Sequence, residues 1–283
     1  MRQLSPEEFP PLLREISDPP KRLHLRGALP DAETKYLCVV GSRSASPYAR
    51  RSCRTLIENL AGFPITIVSG LALGLDAEAH EAALAAGLST VAVLPSSVDD
   101  ASIYPATNRA LAERILRSGG CIMSEYEAPW KPAPWSFPAR NRIMAGLSHA
   151  TLILEASERS GTLITARLCL EYARELLCVP HEIGRTAGAG GNRLIREGAT
   201  LVRGREDIFE ALGLDSMEDG ATRRLPGDLS ETELALWSVL TEPLEREVLM
   251  EKVSLPARAL SVALSSLAIR GLIVERLGKI ERS

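Results

Sequence analysis

The chain has 283 residues and a net formal charge of −3, and 45% of its residues are hydrophobic. A chain of that length holds one large α/β domain with a small appendage, or two medium domains. The slightly acidic balance excludes a polycation that coats duplex DNA, but it allows a local basic groove, because association depends on where charges lie. Aromatic residues make up only 4% of the chain. Each aromatic side chain in a loop is therefore a candidate stacking surface.

The five cysteines form no C-x-x-C pair and have no histidine at metal-ligand spacing, so we expect neither a metal site nor a cofactor. Cys38, Cys121 and Cys178 each lie in an apolar run, which is typical of buried small hydrophobic residues. An odd number of cysteines without a disulfide framework fits a reducing compartment. The N-terminal segment is not a signal peptide, and no apolar stretch reaches membrane-spanning length. We therefore expect a cytoplasmic protein with no membrane partner.

Residues 1–35 are predicted to form a short preamble, because Asp18-Pro19-Pro20 and Pro30 interrupt any helix that begins at Ser5. Over residues 36–214, short apolar runs alternate with amphipathic segments. The apolar runs are 36–42, 65–70, 90–96, 121–125, 150–156, 176–180 and 199–202, and the amphipathic segments are 47–61, 74–86, 106–118 and 162–174. This alternation predicts an α/β fold with an extended Rossmann-like open parallel sheet, buried on both faces.

The C-terminal part of the chain has a different pattern. Residues 215–228 are polar and are predicted to be a linker. Helical patterns at 230–240, 244–253 and 256–270 precede a segment at 271–282 that suits a β-ribbon, so residues 229–283 are predicted to form a winged-helix-like domain; the alternative is a plain helical tail. The third of these helices carries little positive charge besides Arg258 and Arg270. We therefore expect it to contact a protein or the Rossmann-like domain rather than to read duplex DNA.

The first predicted strand ends in Gly41-Ser42-Arg43. Ligands of open parallel sheets bind at the carboxyl ends of the strands. Glycine lets a ligand approach the backbone, and Ser42 and Arg43 are donors for a phosphate. A plain strand-to-helix turn explains the same three residues equally well. The dinucleotide fingerprint G-x-G-x-x-G is absent, which weakens a nicotinamide or flavin interpretation.

The second strand ends in Ser69-Gly70, where small residues before a helix favour an anion site. Asp76 and His80 follow on one helical face, four residues apart. We favour a structural hydrogen bond between them over acid–base catalysis, because the sequence supplies no third catalytic group beside them.

The segment 130–143 concentrates aromatic and cationic residues between prolines, which keep it extended. Stacking surface combined with phosphate partners is what non-duplex nucleic acid requires. The candidate DNA contacts in this segment are Lys131, Phe137, Arg140, Asn141 and Arg142. The alternative is an aromatic loop over the sheet edge with exposed arginines; it explains Trp130 and Trp135 but not the R-N-R cluster that opens the next helix.

After the strand at 150–156, Ser160-Gly161-Thr162 begins a helix, and its hydroxyls and free N–H groups suit a phosphate or a carboxylate. Helix capping alone would explain these residues. Four such features at one sheet edge nevertheless predict a single binding site.

Together these segments resemble the DprA/Smf family, the DNA-processing protein A of bacteria. The resemblance covers about residues 36–203 through the stretches VVGSRSASPYA (39–49), SGLALGLDAEAHEAAL (69–84), TVAVLPSSVDDASIYPATN (90–108), SEYEAPW (124–130), FPARNRIMAGLS (137–148), EASERSGTLITA (155–166) and GGNRLIREGA (190–199). It implies a protein without enzymatic activity that binds and protects single-stranded DNA without sequence preference. It also implies loading of RecA recombinase in DNA uptake, recombination and natural transformation, and a homodimer formed through the Rossmann-like domain.

The resemblance further implies which residues contact the strand. Arg43, Phe137, Arg140 and Arg142 match contact residues of the family, and Ser69-Gly70 and Ser160-Gly161-Thr162 match segments that line its pocket. Asn192, in the stretch 190–199, completes the candidate DNA contacts. The turn V-P-H-E at 179–182 departs from the usual V-P-G, which leaves the path of the glycine-rich loop 184–191 open.

The alternative function is an enzyme that binds or hydrolyses a small nucleotide, in the manner of the LOG phosphoribohydrolases. Small-residue strand ends hold a ribose phosphate as readily as a DNA phosphate. Those enzymes carry a P-G-G-x-G-T segment with a catalytic glutamate. Here Glu155 follows the corresponding strand, but the residues after it have a different spacing.

Overall fold

The computed structural model describes residues 1–30, 33–214, 229–240, 244–253, 255–269, 272–276 and 278–282. The chain divides into two compact units, residues 1–217 and 218–283. The predicted linker 215–228 lies outside the described residues. In the part of the chain that the structure describes, no helix combines the length and the apolar character needed to cross a membrane.

The described residues of the first unit form a nine-stranded sheet, with strand order β1-β2-β6-β5-β4-β3-β7-β8-β9. The strands are β1 (Arg2–Leu4), β2 (Leu23–Gly27), β3 (Lys35–Val40), β4 (Ile65–Ser69), β5 (Ser89–Val93), β6 (Cys121–Ser124), β7 (Ala150–Ile153), β8 (Glu175–Cys178) and β9 (Thr200–Leu201). All neighbouring pairs from β6 to β9 are parallel. The predicted Rossmann-like open parallel sheet is confirmed.

Helices cover both faces of this sheet. They are α1 (Pro11–Arg14), α2 (Pro47–Glu58), α3 (Leu75–Ala85), α4 (Arg109–Arg117), α5 (Ser136–Leu147), α6 (Thr162–Glu171), α7 (Ala189–Arg196) and α8 (Arg205–Leu212). Leu37 and Val39 of β3 pack into the core with α2, α3 and α8, whereas Cys38 and Val40 pack into the core with α5 and α6. Because both faces are buried, residues 36–40 of β3 are all apolar and buried, and the strand shows no hydrophobic alternation.

The predicted preamble packs against the sheet. β2 pairs antiparallel with β6, placing Leu25 opposite Met123, and β1 pairs antiparallel with β2. Leu13 and Ile16 are buried against α5, where a Cβ on Gly146 would lie 2.8 Å from Ile16 Cγ2. The prolines do interrupt helix in this segment, but its strand β2, with alternating burial, lies between β1 and β6 in the sheet.

The order of the strands places a crevice beside β3. The chain runs outward from β3 through β4, β5 and β6, and then returns to the other side of β3 at β7. The connection that follows β3 leads towards β4, and the connection that follows β7 leads the opposite way, towards β8. This divergence opens a crevice at the carboxyl ends of β3 and β7.

The described elements of the second unit are α9 (Glu231–Val239), β10 (Leu244–Glu245), α10 (Arg246–Val253), α11 (Ala257–Ile269), β11 (Ile273–Arg276) and β12 (Lys279–Arg282). The three strands form an antiparallel sheet with the order β10-β12-β11. Leu236, Leu260 and Leu267 lie in its core. The helices coincide with the predicted helical patterns, and the winged-helix assignment stays a prediction.

Candidate nucleic-acid interface

A cavity of about 300 Å³ opens at the carboxyl ends of β3 and β7. This volume lies at the lower end of the range of ligand pockets. Nine of the fourteen candidate residues line it, namely Gly41, Ser42, Arg43, Phe137, Arg140, Asn141, Ser160, Gly161 and Thr162. The structure thus brings three distant segments of the sequence together at one sheet edge. Contact of these residues with DNA stays a prediction.

The loop after β3 is held by the start of α3. Ser42 O accepts a hydrogen bond from Leu75 N at 3.2 Å, and a Cβ added at Gly41 would overlap the Leu75 side chain. Gly74, with φ of +81°, brings its backbone against the carbonyl oxygens of Ser42 and Arg43. Only glycine fits these close approaches without strain. The packing fixes the backbone of Arg43, whose side chain is exposed at the mouth of the cavity.

Three side chains from separate parts of the chain, Arg43, Tyr104 and Phe137, meet at that mouth. The Arg43 guanidinium carbon lies 5.1 Å from the centroid of the Phe137 ring, a cation–π contact. Tyr104 meets the same ring edge-on, with centroids 5.7 Å apart. Tyr104 and Phe137 also line a smaller adjoining cavity together with Gly70. Tyr104 was not among the predicted contacts, although it lies in the matching stretch 90–108, where an aromatic in a loop was the available signal.

Arg140 lies at the floor of the cavity and is buried, with 4% of its surface exposed. Its Nη1 donates to Val93 O at 3.2 Å and lies 3.9 Å from Asp76 Oδ2. Its guanidinium is therefore enclosed within the protein, and its predicted contact with DNA stays a prediction. Burial raises the pKa of Asp76, with the Arg140 charge opposing the rise, and burial lowers the pKa of Arg140.

The predicted hydrogen bond between Asp76 and His80 was wrong. The Thr90 hydroxyl donates to Ile67 O at 2.9 Å, so its oxygen accepts from His80 Nδ1 at 2.7 Å. Burial and the nearby Arg140 charge lower the pKa of His80 to about 3, which keeps the ring neutral. His80 is thus a core residue, and it is not available as the acid–base partner of Asp76.

The start of α6 also differs from expectation. Free N–H groups were predicted there, but Thr162 N donates to Ser160 Oγ at 3.2 Å. Leu163 N donates to Ser160 O, and Ile164 N donates to Gly161 O, each at 3.1 Å. The prediction was wrong for these three donors, because the turn satisfies them locally. The Ser160 and Thr162 hydroxyls, 2.9 Å apart, remain as polar groups on the cavity wall.

Arg142 lies outside the cavity lining. Its Nη2 donates to both carboxylate oxygens of Glu125, at 2.7 and 2.5 Å, and its Nη1 donates to Asp18 O at 2.8 Å. The predicted contact of Arg142 with DNA stays a prediction. Arg142 joins α5 to the N-terminal segment and to the loop after β6.

Three further candidates lie outside the cavity lining. The Ser69 hydroxyl is buried and donates to Val39 O at 2.7 Å, which ties β4 to β3. Asn192 accepts from His181 N and donates to His181 O, at 3.0 Å in both bonds, and so holds the turn after β8. Lys131 is exposed in the loop between β6 and α5.

Acidic side chains are sparse in the lining of the cavity. Asp76 is the only acidic residue among those that the structure places in its lining, and it faces Arg140. Glu155 is buried, with Oε1 accepting from Ser46 N at 3.2 Å, and does not line the cavity. Within the described residues, no group of three His, Cys, Asp or Glu side chains is arranged to hold a metal ion.

The doubly wound sheet and the cationic, aromatic mouth of its crevice define a Rossmann-like α/β protein with a site suited to a phosphate-bearing ligand. The family model described as DNA recombination-mediator protein A matches residues 2–213. The chain belongs to this family, which confirms the resemblance found in the sequence.

Known relatives and solved structures of the same family are also similar to this chain. The chain is 41% identical over 206 residues to protein Smf of Escherichia coli, covering 73% of this chain and 54% of that protein. It is similar in structure to DNA processing protein A of Streptococcus pneumoniae, with a TM-score of 0.69, 35% identity and coverage of 74% and 73% of the two chains. It is also similar in structure to DNA processing protein A of Helicobacter pylori, described for its single-stranded DNA binding mode. That comparison has a TM-score of 0.65 and 32% identity, and it covers 75% of this chain and 96% of the other.

The match to longer relatives is partial. The chain spans 54% of the length of the Escherichia coli protein and 58% of the Synechocystis protein Smf, to which it is 38% identical over 233 residues.

Proposed function

We propose that this protein binds single-stranded DNA without sequence preference, in DNA processing and recombination. The observation that carries the proposal is the pair of Arg43 and Phe137 at the cavity mouth, a cation 5.1 Å from an aromatic ring. Stacking of a base on an aromatic side chain is worth about 1–3 kcal/mol and tolerates any base. The guanidinium supplies a planar fork for the neighbouring phosphate. Two further observations support the proposal: the chain belongs to the recombination-mediator family, and the Helicobacter pylori relative is described for its single-stranded DNA binding mode.

A single strand suits this site better than a duplex does. The cavity of about 300 Å³ and its aromatic mouth accept an unstacked base, whereas a duplex keeps its base faces covered. The overall charge of −3 offers a duplex no extended cationic surface. Binding is therefore local, at one edge of the sheet.

We propose binding rather than catalysis as the activity. Asp76 is paired with Arg140, His80 is neutral in the core, and Glu155 is buried away from the cavity lining. These three side chains were the acid–base candidates of the sequence. Their placement supports a protein without enzymatic activity and gives no support to the small-nucleotide enzyme.

We further propose that the bound strand is handed to RecA recombinase during DNA uptake and natural transformation, that the protein acts in the cytoplasm, and that it forms a homodimer. The family description as a DNA recombination mediator supports a role beside a recombinase. Its relatives in Bacillus subtilis and Streptococcus pneumoniae are DNA processing proteins, 34% and 38% identical to this chain.

The test is fluorescence anisotropy with oligothymidine, a mixed-sequence strand and a duplex, at salt concentrations from about 50 to 200 mM. We expect both single strands to bind alike, and Arg43→Ala to weaken both by about tenfold, the loss of one charge-assisted phosphate contact. Arg51→Ala is the matched control, an exposed arginine of α2 outside the cavity lining. Equal affinity of wild type and Arg43→Ala would contradict the proposed site. Release of free base from nucleoside monophosphates would instead favour the enzyme.

A further inference from the structure

Three aromatic side chains of the loop between β6 and α5 pack into one cluster, which we name the aromatic platform: Tyr126, Trp130 and Trp135. The Tyr126 and Trp130 rings are stacked, with centroids 5.4 Å apart and an interplanar angle of 14°. Trp135 meets both edge-on, at 5.9 Å from Tyr126 and 6.1 Å from Trp130. Edge-to-face and offset-stacked contacts are favourable geometries, so the three rings hold one another in place.

The aromatic platform is exposed although its loop is firmly anchored. Trp135 is 56% exposed and Trp130 is 39% exposed. The buried Ser97 fixes the loop, because its hydroxyl accepts from Trp130 N at 2.8 Å and its N–H donates to Trp130 O at 3.1 Å. Pro129, Pro132 and Pro134 stiffen the rest of the loop. Two large indole rings are thus kept in solvent by a rigid scaffold, which lowers the entropic cost of binding a flat partner.

The charges of this loop favour a polyanion. Its two carboxylates are engaged, since Glu125 pairs with Arg142 and Glu127 lies 3.7 Å from Arg22. Lys131 is exposed and has no ion pair among the described residues. The free charge beside the aromatic platform is therefore positive. An exposed stacking surface next to a free cation is the combination that binds single-stranded nucleic acid.

The aromatic platform is continuous with the cavity mouth. Trp135 directly precedes α5, and its carbonyl oxygen accepts a hydrogen bond from Ala139 N at 3.3 Å. Phe137, which lines the cavity, is the second residue of the same helix. Both stacking surfaces therefore lie at the N-terminal end of α5, within the reach of neighbouring nucleotides of one strand.

We propose that the aromatic platform is a second base-stacking subsite for single-stranded DNA, occupied by nucleotides that leave the cavity on the Phe137 side, with Lys131 contacting their phosphate. This inference rests on the proposed function, because it extends the path of a strand already held at Arg43 and Phe137. Its consequence is a dependence on strand length. A short strand fills the cavity alone, whereas a longer one also covers the platform.

The experiment measures the affinity of the full chain for oligothymidines of about four and about twelve nucleotides, within the usual range of site sizes. We expect Trp135→Ala and the double variant Trp130→Ala/Trp135→Ala to weaken binding of the longer strand by about tenfold or more, with little change for the shorter one. Trp135→Phe retains a flat ring and should retain most of the affinity. Leu170→Ala, at an exposed apolar residue of α6, is the matched control.

Two further measurements separate stacking from indirect effects. A twelve-nucleotide strand with abasic sites at its ends keeps its phosphates, so the Trp135→Ala variant should bind it as the wild type does. Tryptophan fluorescence should be quenched by the longer strand in the wild type and not in Trp130→Phe/Trp135→Phe, where Trp237, buried in the second unit, remains as an internal reference. Thermal melting of each variant checks that it is folded.

The outcomes distinguish the two proposals. If the wild type binds neither strand, the proposed function itself fails. If Arg43→Ala weakens both strands while Trp135→Ala leaves both affinities and the fluorescence change unaltered, the second subsite is overturned and the proposed function stands. In that case the exposed rings are left as a contact surface for a protein partner.

Discussion

The Arg140 guanidinium occupies the space that a side chain on Gly70 would need, since a Cβ built on Gly70 overlaps the Nη1 atom of Arg140. Gly70 follows β4 and Arg140 lies in α5, so the contact joins two walls of the crevice. The same guanidinium reaches Asp76 and Val93 O. The buried guanidinium of Arg140 thus forms the floor of the cavity, and it can occupy this position because Gly70 has no Cβ.

We predict that Gly70→Ala destabilises the protein by about 1–3 kcal/mol, because overpacking forces the buried guanidinium away from its partners. Urea unfolding measures the change in the free energy of unfolding. Gly161→Ala is the control, since nothing lies within 4 Å of its Cβ position and its φ is −60°. An unfolding free energy equal to that of the wild type would show that Arg140 has another position open to it.

Replacing Arg140 with Met should cost about 3–5 kcal/mol of unfolding free energy, because the Asp76 carboxylate is left buried without its partner charge. Adding Asp76→Asn removes the orphaned charge, so the double variant should lose less than the sum of the two single variants. Urea unfolding of the four proteins completes the cycle. Additive losses would mean that the two charges do not interact.

Arg142→Ala is expected to lower stability by about 1–3 kcal/mol, since it leaves Glu125 and the Asp18 carbonyl without their donor. The salt dependence of oligonucleotide affinity should stay as in the wild type, because Arg142 neutralises a carboxylate rather than a phosphate. Arg43→Ala, by contrast, should reduce the slope of log K against log salt by about 0.7, the value for one phosphate contact on a single strand. A reduced slope in Arg142→Ala would show that Arg142 exchanges Glu125 for DNA.

Acid should destabilise the protein partly through His80. Burial lowers the pKa of His80 to about 3 from its ordinary 6.5. Between these values the unfolded chain binds a proton that the folded chain does not, so the free energy of unfolding falls as the pH falls through this window. His80→Gln keeps a donor for Thr90 and does not titrate. Urea unfolding at pH 7 and at about 4.5 should show a smaller loss in His80→Gln than in the wild type; equal losses would contradict the buried neutral ring.

The class of fold and the residues around the crevice follow from the order of apolar and polar residues along the chain. Strands buried on both faces are mostly apolar, so β3 and β7 were evident within the apolar runs 36–42 and 150–156 without any knowledge of their neighbours. Since parallel strands end at a common edge, the residues that follow them, such as Arg43 and Thr162, were expected to meet, and both line the cavity.

Which charged side chains are paired within the protein depends on contacts between distant elements. Arg140 and Arg142 are alike in sequence, but Arg140 bonds to Val93, 47 residues away, and Arg142 bonds to Asp18, 124 residues away. Periodicity reports the burial of apolar residues along one element, whereas the partner of a charge comes from a distant element whose position is set by packing. Arg43 is exposed, its backbone is held by the start of α3, and its side chain forms no ion pair with an acidic side chain in the part of the chain that the structure describes.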